Sequence, residues 1–385
     1  MRVLLAGLAG VLAGCAAVAV PPAATEVVAL RFIGEQRIPT KMPFRGTTVG
    51  GLSGVDYDAA AGEWILASDD RSAIDPARYY RAALRFTPVS FDAVTLTDVR
   101  LFRQRDGSAY PGVARHAEAG GTVADIESAR VDPRDGTIWY ASEGDGRIGL
   151  DPFVRQAGTD GTLRGELPLP DQFRERPAHD RGVRNNASLE GLSFAPDGAS
   201  VWLALEAPLY EDGGLPTPDR GALARITHLD RGGRVLGQYA YPLDPIPARP
   251  GEGRFADNGI SEIVATGRDT LLVLERSAVQ GDDGRYRNHV RLYEADVGRA
   301  TDIRAVPALA GAAATPASVP AAKRLVLDFT TLGLPVVDNL EGFAFGPRLP
   351  NGHATLLFVS DDNFNKSQVT QLLLFEVLPA VPRQP

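Results

Sequence analysis

Two kinds of segment alternate five times along this chain, and any fold must house them as five copies of one unit. The first is a small-residue loop running into a strand, at 51–56, 125–130, 188–193, 260–264 and 339–344. The second is an apolar run closing on a carboxylate: Asp69, Glu143, Glu206, Glu275 and Asp361. From Ser53, Glu127, Glu190, Glu262 and Glu341 in the loops to these acids, the spacing is 16, 16, 16, 13 and 20 residues. The variation falls in the connecting hairpin, where added length costs little closure entropy. Asp-Gly pairs at 135–136 and 197–198 supply the turn chemistry of such hairpins.

A third apolar run follows each pair, at 80–86, 149–156, 222–229, 289–295 and 370–377. A fourth follows in the first four repeats, at 94–103, 163–169, 235–241 and 323–329. The fifth repeat has no fourth strand after it, and the run at 27–38 can supply one. The sequence therefore predicts an all-β fold, a single β-propeller of five four-stranded blades over residues 27–379, closed by its N-terminal strand. Six blades are accommodated if one lies within a long insertion. Composition agrees: of 385 residues, 41 are Gly and 29 Pro, which interrupts long helices, while 44% are hydrophobic, enough for a core. A net charge of −8 argues against nucleic acid as a partner, because that surface needs basic clusters.

The first residues read as a leader rather than as fold. A charged start, an apolar run too short to span a bilayer and small residues before a cut form a secretory signal over 1–14. Leu12-Ala13-Gly14-Cys15 resembles the bacterial lipobox, which implies lipidation of Cys15 and a tether over 15–26. The alternative is an ordinary signal cut near residue 20, with Cys15 discarded. Either way the protein is expected to be exported, to the periplasm or as an outer-membrane lipoprotein. Membrane contact is then through the N-terminal lipid alone. Cys15 is the only cysteine, so no disulfide forms within the chain.

Symmetry is expected to gather Glu127, Glu190, Glu262 and Glu341 at one end of the propeller axis, with Ser53 in the fifth place. Like charges at that range repel by roughly 4 kcal/mol per close pair at intermediate dielectric, so the ring needs cations, arginines or raised pKa values. Oxygen donors alone suit Ca²⁺, and the expected metal ligands are these four glutamates with Asp69 and Asp361. The alternative is architectural, each glutamate accepting backbone N–H bonds in its own loop. Glu190, Glu341 and Asp361 are the candidate catalytic carboxylates. Arg71, Arg181, Arg184, Arg276 and Lys366 are the candidate contacts to an anionic substrate, since guanidinium forks match phosphate. The five histidines show no zinc spacing, and no phosphate-binding glycine loop or nucleophile elbow is present.

The segments Gly51-Leu52-Ser53-Gly54, Leu189-Glu190-Gly191-Leu192, Gly259-Ile260-Ser261-Glu262, Asn339-Leu340-Glu341-Gly342-Phe343 and Val359-Ser360-Asp361-Asp362-Asn363-Phe364 resemble the bacterial family described as having the esterase-like activity of phytase. The resemblance runs over about residues 45–378. It implies an exported propeller that hydrolyses phosphomonoesters or other esters, with Ca²⁺ as the ion. The chain departs from propeller phytases in lacking a lysine-rich phosphate face. Two readings follow: a metal-dependent hydrolase of small anionic esters, acting as a monomer, or a non-catalytic envelope propeller that binds a ligand or protein partner and is held together by Ca²⁺.

Overall fold

The computed structural model describes residues 25, 27–311 and 318–378; the expected signal peptide, Cys15 and most of the tether lie outside them. Five antiparallel four-stranded sheets follow one another along the chain. Blade 1 comprises Leu52–Asp58, Glu63–Ser68, Arg78–Thr87 and Ser90–Leu101. Blade 2 comprises Ile126–Val131, Ile138–Ser142, Phe153–Ala157 and Leu163–Leu167. Blade 3 comprises Leu189–Phe194, Ser200–Leu205, Ala222–Asp230 and Val235–Leu243. Blade 4 comprises Gly259–Ala265, Thr270–Gln280, Tyr286–Asp296 and Ala322–Asp328. Blade 5 comprises Asn339–Gly346, Thr355–Asp361 and Thr370–Leu378, and takes its fourth strand from Ala29–Ile38. That last pairing runs from Ala29↔Leu378 to Ile38↔Thr370, the closure expected from the repeat count. The third strand of blade 2 starts at Phe153 rather than 149, because Gly146–Ile148 form a 3₁₀ turn ended by left-handed Gly149.

Apolar residues on both faces of the middle strands are explained by blade packing, since each sheet is covered by two neighbours. In Ile138–Ser142, Ile138 and Tyr140 join a core with Ile65 and Tyr79 of blade 1. The alternate residues Trp139 and Ala141 join another with Leu192 and Leu203 of blade 3. Such a core lies between each adjacent pair of blades. Each large side chain buried there contributes about 1.5–3 kcal/mol, so ring closure is driven by apolar contact rather than by the single seam of strand pairing.

Every inner strand slips register near its start, between Leu52/Gly54, Ile126/Ser128, Leu189/Gly191, Ile260/Glu262 and Leu340/Gly342. The skipped residues are Ser53, Glu127, Glu190, Ser261 and Glu341. A bulge of this kind re-aims one side chain out of the ladder. Blade 4 thus corrects the expected alignment: its bulge residue is Ser261, not Glu262. The residue opposite its loop is Arg276 (Gly259↔Arg276), where blade 5 pairs Asn339↔Asp361. The axial set is three glutamates and two serines, and the strand-end set is four acids and one arginine.

The position after each bulge is Gly54, Ser128, Gly191, Glu262 or Gly342, small in all but one blade, because inner strands nearly touch there. A Cβ on Gly54 would sit 2.7 Å from the Ala129 nitrogen, and one on Gly342 would collide with the Ser53 carbonyl oxygen. The exception, Glu262, crosses the axis. It accepts the Ser128 hydroxyl (2.6 Å) and the Leu192 and Ile263 N–H groups (3.1 and 2.8 Å), and pairs with Arg130 at 2.7 Å. Arg130 donates to the carbonyls of Val55, Leu192, Ile263 and Phe343 at 2.6–3.0 Å, one from each of the other four blades. This buried pair fills the axis below the bulges.

Candidate active site

The side chains released by the bulges and strand ends meet in a cavity of about 1350 Å³ where the inner strands begin. Its inner wall carries Asp69, Asp125, Glu127, Glu143, Glu190, Glu206, Glu341 and Asp361, against the guanidinium groups of Arg71 and Arg276. Oxygens of Asp69, Glu341 and Asp361 lie within 4.8 Å of one another, and so do those of Asp125, Glu127 and Glu143. Some positions are fixed by neighbours. Glu341 accepts Ser53 Oγ at 2.8 Å and Asn339 Nδ2 at 2.7 Å, and Asp361 accepts the Asn363 N–H at 2.6 Å. Arg71 lies 3.3 Å from Asp125; Arg276 lies 2.9 Å from Asp257, 3.4 Å from Glu206 and 3.6 Å from Glu341. Glu143 Oε2 and Arg276 Nε are buried with no hydrogen-bond partner.

Burial and mutual repulsion push these carboxyls toward their neutral form. Burial raises Asp69, Glu127, Glu143, Glu190 and Asp361 well above the usual carboxylate range, and neighbouring acids add to the shift. Burial pushes Glu206 up to about 8 despite Arg276, and Asp125 up to about 6 despite Arg71. Glu341 is raised by burial and held back by Arg276, Ser53 and Asn339.

The Asp361-Asp362-Asn363-Phe364 turn ties the last blade to the first. Asp362 turns away from the cavity and accepts the N–H groups of Gly51 (3.1 Å) and Phe364 (3.0 Å) and the Thr370 hydroxyl (3.0 Å). Asn363 and Phe364 both have positive φ, 46° and 48°, a strained conformation of the kind found at functional sites. Gly51, with φ +60°, lies under the Phe364 ring and Asp69, where a Cβ has no room.

Of the sequence-derived candidates, the fold brings Glu127, Glu190, Glu341, Asp69, Asp361, Arg71 and Arg276 into one cavity. Glu262 is in the axial plug instead, because the bulge falls one residue earlier. Glu275 points into a separate network with Lys323 (2.6 Å), Tyr241 (2.8 Å) and Asn258 (3.0 Å). Arg184 stacks on Tyr210 and donates to the Pro208 and Gly213 carbonyls, so it braces a loop. Arg181 and Lys366 are exposed and do not line the cavity. Sequence reasoning gave no role to Asp125, whose only signal is that it stands two residues before a repeat glutamate. It also passed over the mouth residues Phe255, Arg285 and Tyr286. Their signal was the hairpin sequence Gly281-Asp282-Asp283-Gly284, placed well past the strand-end acid.

No curated protein matches the sequence. Among solved structures, the catalytic domain of a GH62 α-L-arabinofuranosidase from Coprinopsis cinerea aligns at 10% identity and a TM-score of 0.42, over 91% of this chain and 97% of that one. A GH43 endo-arabinanase from Bacillus licheniformis aligns at 11% identity and a TM-score of 0.38, over 86% and 95%. A glucose dehydrogenase aligns at 14% identity and a TM-score of 0.35, over 86% and 83%. Nothing about chemistry passes from likenesses this distant. A family model does match: residues 47–364 fit the one described as esterase-like activity of phytase, and this five-bladed propeller belongs to that phytase-like family.

Proposed function

We propose that the carboxylate-lined cavity is the active site of a hydrolase of small anionic esters, phosphomonoesters first, working with a bound divalent cation. The observation that supports this best is the donor set. Two groups of three carboxylates converge within 4.8 Å, and Glu143 Oε2 in one of them is buried without a partner. An unsatisfied buried acceptor costs about 1–3 kcal/mol, more when charged, and an all-oxygen set is what a hard cation such as Ca²⁺ takes. Asp69, Glu341 and Asp361 would hold one ion, and Asp125, Glu127 and Glu143 form the other set fit to hold one. The ion supplies Lewis-acid polarisation of the ester.

The remaining roles belong to the chain. Arg71 and Arg276 stand in the same wall and offer N–H donors to an anionic group. Glu190 stands in the same wall, feels Glu143 of one carboxylate set and Glu341 of the other, has no hydrogen-bond partner among the described residues, and is raised by burial well above the usual carboxylate range. It would give its proton to the alkoxide that leaves as water attacks the ester. Purified protein is expected to hydrolyse p-nitrophenyl phosphate or p-nitrophenyl acetate only with calcium present. On an alkyl phosphate such as glycerol 2-phosphate, whose alkoxide needs a proton to leave, Glu190→Gln is expected to lower kcat by about 10²-fold or more, with calcium affinity within threefold of wild type. No turnover of either ester at saturating calcium would reject hydrolysis and leave a ligand-binding propeller.

The proposed setting is extracytoplasmic, with Cys15 as lipid anchor and the propeller monomeric. Thr25 donates to Thr266 O (2.9 Å) at the turn that follows Gly259–Ala265, on the face opposite the cavity. A tether leaving from there would hold the mouth away from the membrane. Metabolic labelling with palmitate tests the anchor: label on the wild type and none on Cys15→Ser is expected, and an unlabelled wild type refutes it.

A further inference from the structure

Blade 4 differs from the other four at the mouth of the cavity. Its second and third strands stay paired from Thr270↔Asp296 to Gln280↔Tyr286, whereas the cavity wall is already reached at Arg276. The hairpin therefore rises about 13 Å past the wall residues, at roughly 3.3 Å per residue. The preceding segment joins it as a short third strand: Gln280 donates to Phe255 O (2.9 Å) and Asp257 to Ala278 O (3.1 Å). The result is a paired, hydrogen-bonded flap standing over one side of the carboxylates.

The flap carries apolar surface that the protein itself does not cover. Phe255 is 52% exposed and Tyr286 56%, with ring centroids 6.2 Å apart and planes at 61°, so one face and one edge form a notch. Val336, 41% exposed, lines the same cavity. Phe255 and Tyr286 are the only large exposed aromatics among the described residues, and both fall at this mouth. Arg285 lines it too, and its guanidinium has no partner among the described residues, while Arg287 beside it is tied to Asp283 at 2.8 Å. Aromatic edges and faces, with a guanidinium able to stack, are a receptor for a flat apolar ring. Exposed aromatic surface gathered at one cavity marks a binding site rather than scatter.

We propose that this flap is an aryl-binding subsite. The cavity's ligand carries a planar aromatic ring several bonds from its anionic end; the ring sits between Phe255 and Tyr286 while the anionic end reaches the carboxylates and arginines below. The inference rests on the cavity being a ligand site, as the proposed function requires, but not on hydrolysis. Two unreactive probes differing only in the ring test it, butylphosphonate and 4-phenylbutylphosphonate, titrated calorimetrically into the calcium-loaded protein. The phenyl compound is expected to bind at least tenfold tighter. A Phe255→Ala Tyr286→Ala double variant should bring the two within twofold, leaving butylphosphonate affinity and the melting temperature unchanged. No binding of the phenyl compound, or an undiminished preference in the double variant, overturns the subsite. A ring preference without turnover of any ester would reject hydrolysis and keep the subsite. Turnover indifferent to the ring in the wild type would do the reverse.

Discussion

Arg130 and Glu262 show how one pair of side chains can organise a ring of five sheets. Arg130 reaches a carbonyl in each of the other four blades, and Glu262 supplies the charge that lets the guanidinium stay buried. Burial pushes Glu262 up to about 7 even with Arg130 pulling against it, so the carboxylate keeps its full charge only above that pH and would keep less of it without the guanidinium. Removing one member of a buried pair typically costs about 3–5 kcal/mol, much of it from the charge left behind. Arg130→Leu is accordingly expected to lose about that much stability in urea unfolding, and Arg130→Leu Glu262→Leu less than the sum of the singles. A loss below about 0.5 kcal/mol in Arg130→Leu would show that the plug holds nothing together. The carboxylates above it work differently: their raised pKa values describe a cavity whose charges lack enough partners.

At the scale of the element, the bulge is what turns a repeated strand into a site. Without it, the inner-strand residues would alternate between the two neighbouring blades and none would face the cavity. The Glu-Gly pair that two inner strands carry, Glu190-Gly191 and Glu341-Gly342, then has a physical reading. The glutamate is the bulged residue, and the glycine is where the next inner strand comes closest. Gly342→Ala is therefore expected to be destabilising by about 2 kcal/mol or more, since its Cβ meets backbone rather than a side chain that could move. The unfolding midpoint measures this, and an unchanged midpoint would mean the inner strands can shift apart freely. Blade 4 has Ser261-Glu262 at the same place, so its carboxylate lies one residue off the bulge and goes to the plug.

For the molecule as a whole, the cavity sets a pH and metal dependence whose sign can be stated. Glu206 near 8, Asp125 near 6 and the upward-shifted Glu127, Glu190 and Asp361 bind more protons in the folded state than in the unfolded one. Their contribution is complete below the unfolded values, 3.8 for Asp and 4.5 for Glu, and is lost as pH rises through the folded values. Carboxylates held low, such as Asp283 near 2 and Glu376, have finished titrating below that window; His228 and His289, lowered by burial, oppose the trend on its acid side but are two half-buried groups against the whole carboxylate wall. Chelator-treated protein should melt higher at pH 5.5 than at pH 8. Calcium, favouring the ionised carboxyls, should narrow that gap and add about 2.7 kcal/mol at a hundredfold excess over Kd. A metal-free melting temperature that climbs from pH 5.5 to 8, together with indifference to calcium, would contradict both parts.

Five blades, their strand order and the closing role of residues 27–38 were legible in the sequence because they follow from local pattern. Apolar runs, Asp-Gly turns and the recurring loop each act over a few residues, and counting them gives five blades, with a sixth left open only by the long insertions. The carboxylates of blades 1, 2 and 3 were legible for the same reason, as a 16-residue spacing that repeats, and those of blade 5 through the recurring loop and acid-ended strand rather than the spacing. Tertiary structure decided what spacing does not encode. Which of Ile260, Ser261 and Glu262 leaves the ladder depends on pairing with the next strand, and one residue of register changes where a side chain points. Arg276 entered the cavity and Glu275 left it through that shift. Asp125 and the aromatic flap became part of the site only when distant blades met around one axis, since proximity across a ring is a property of closure and not of any segment of chain.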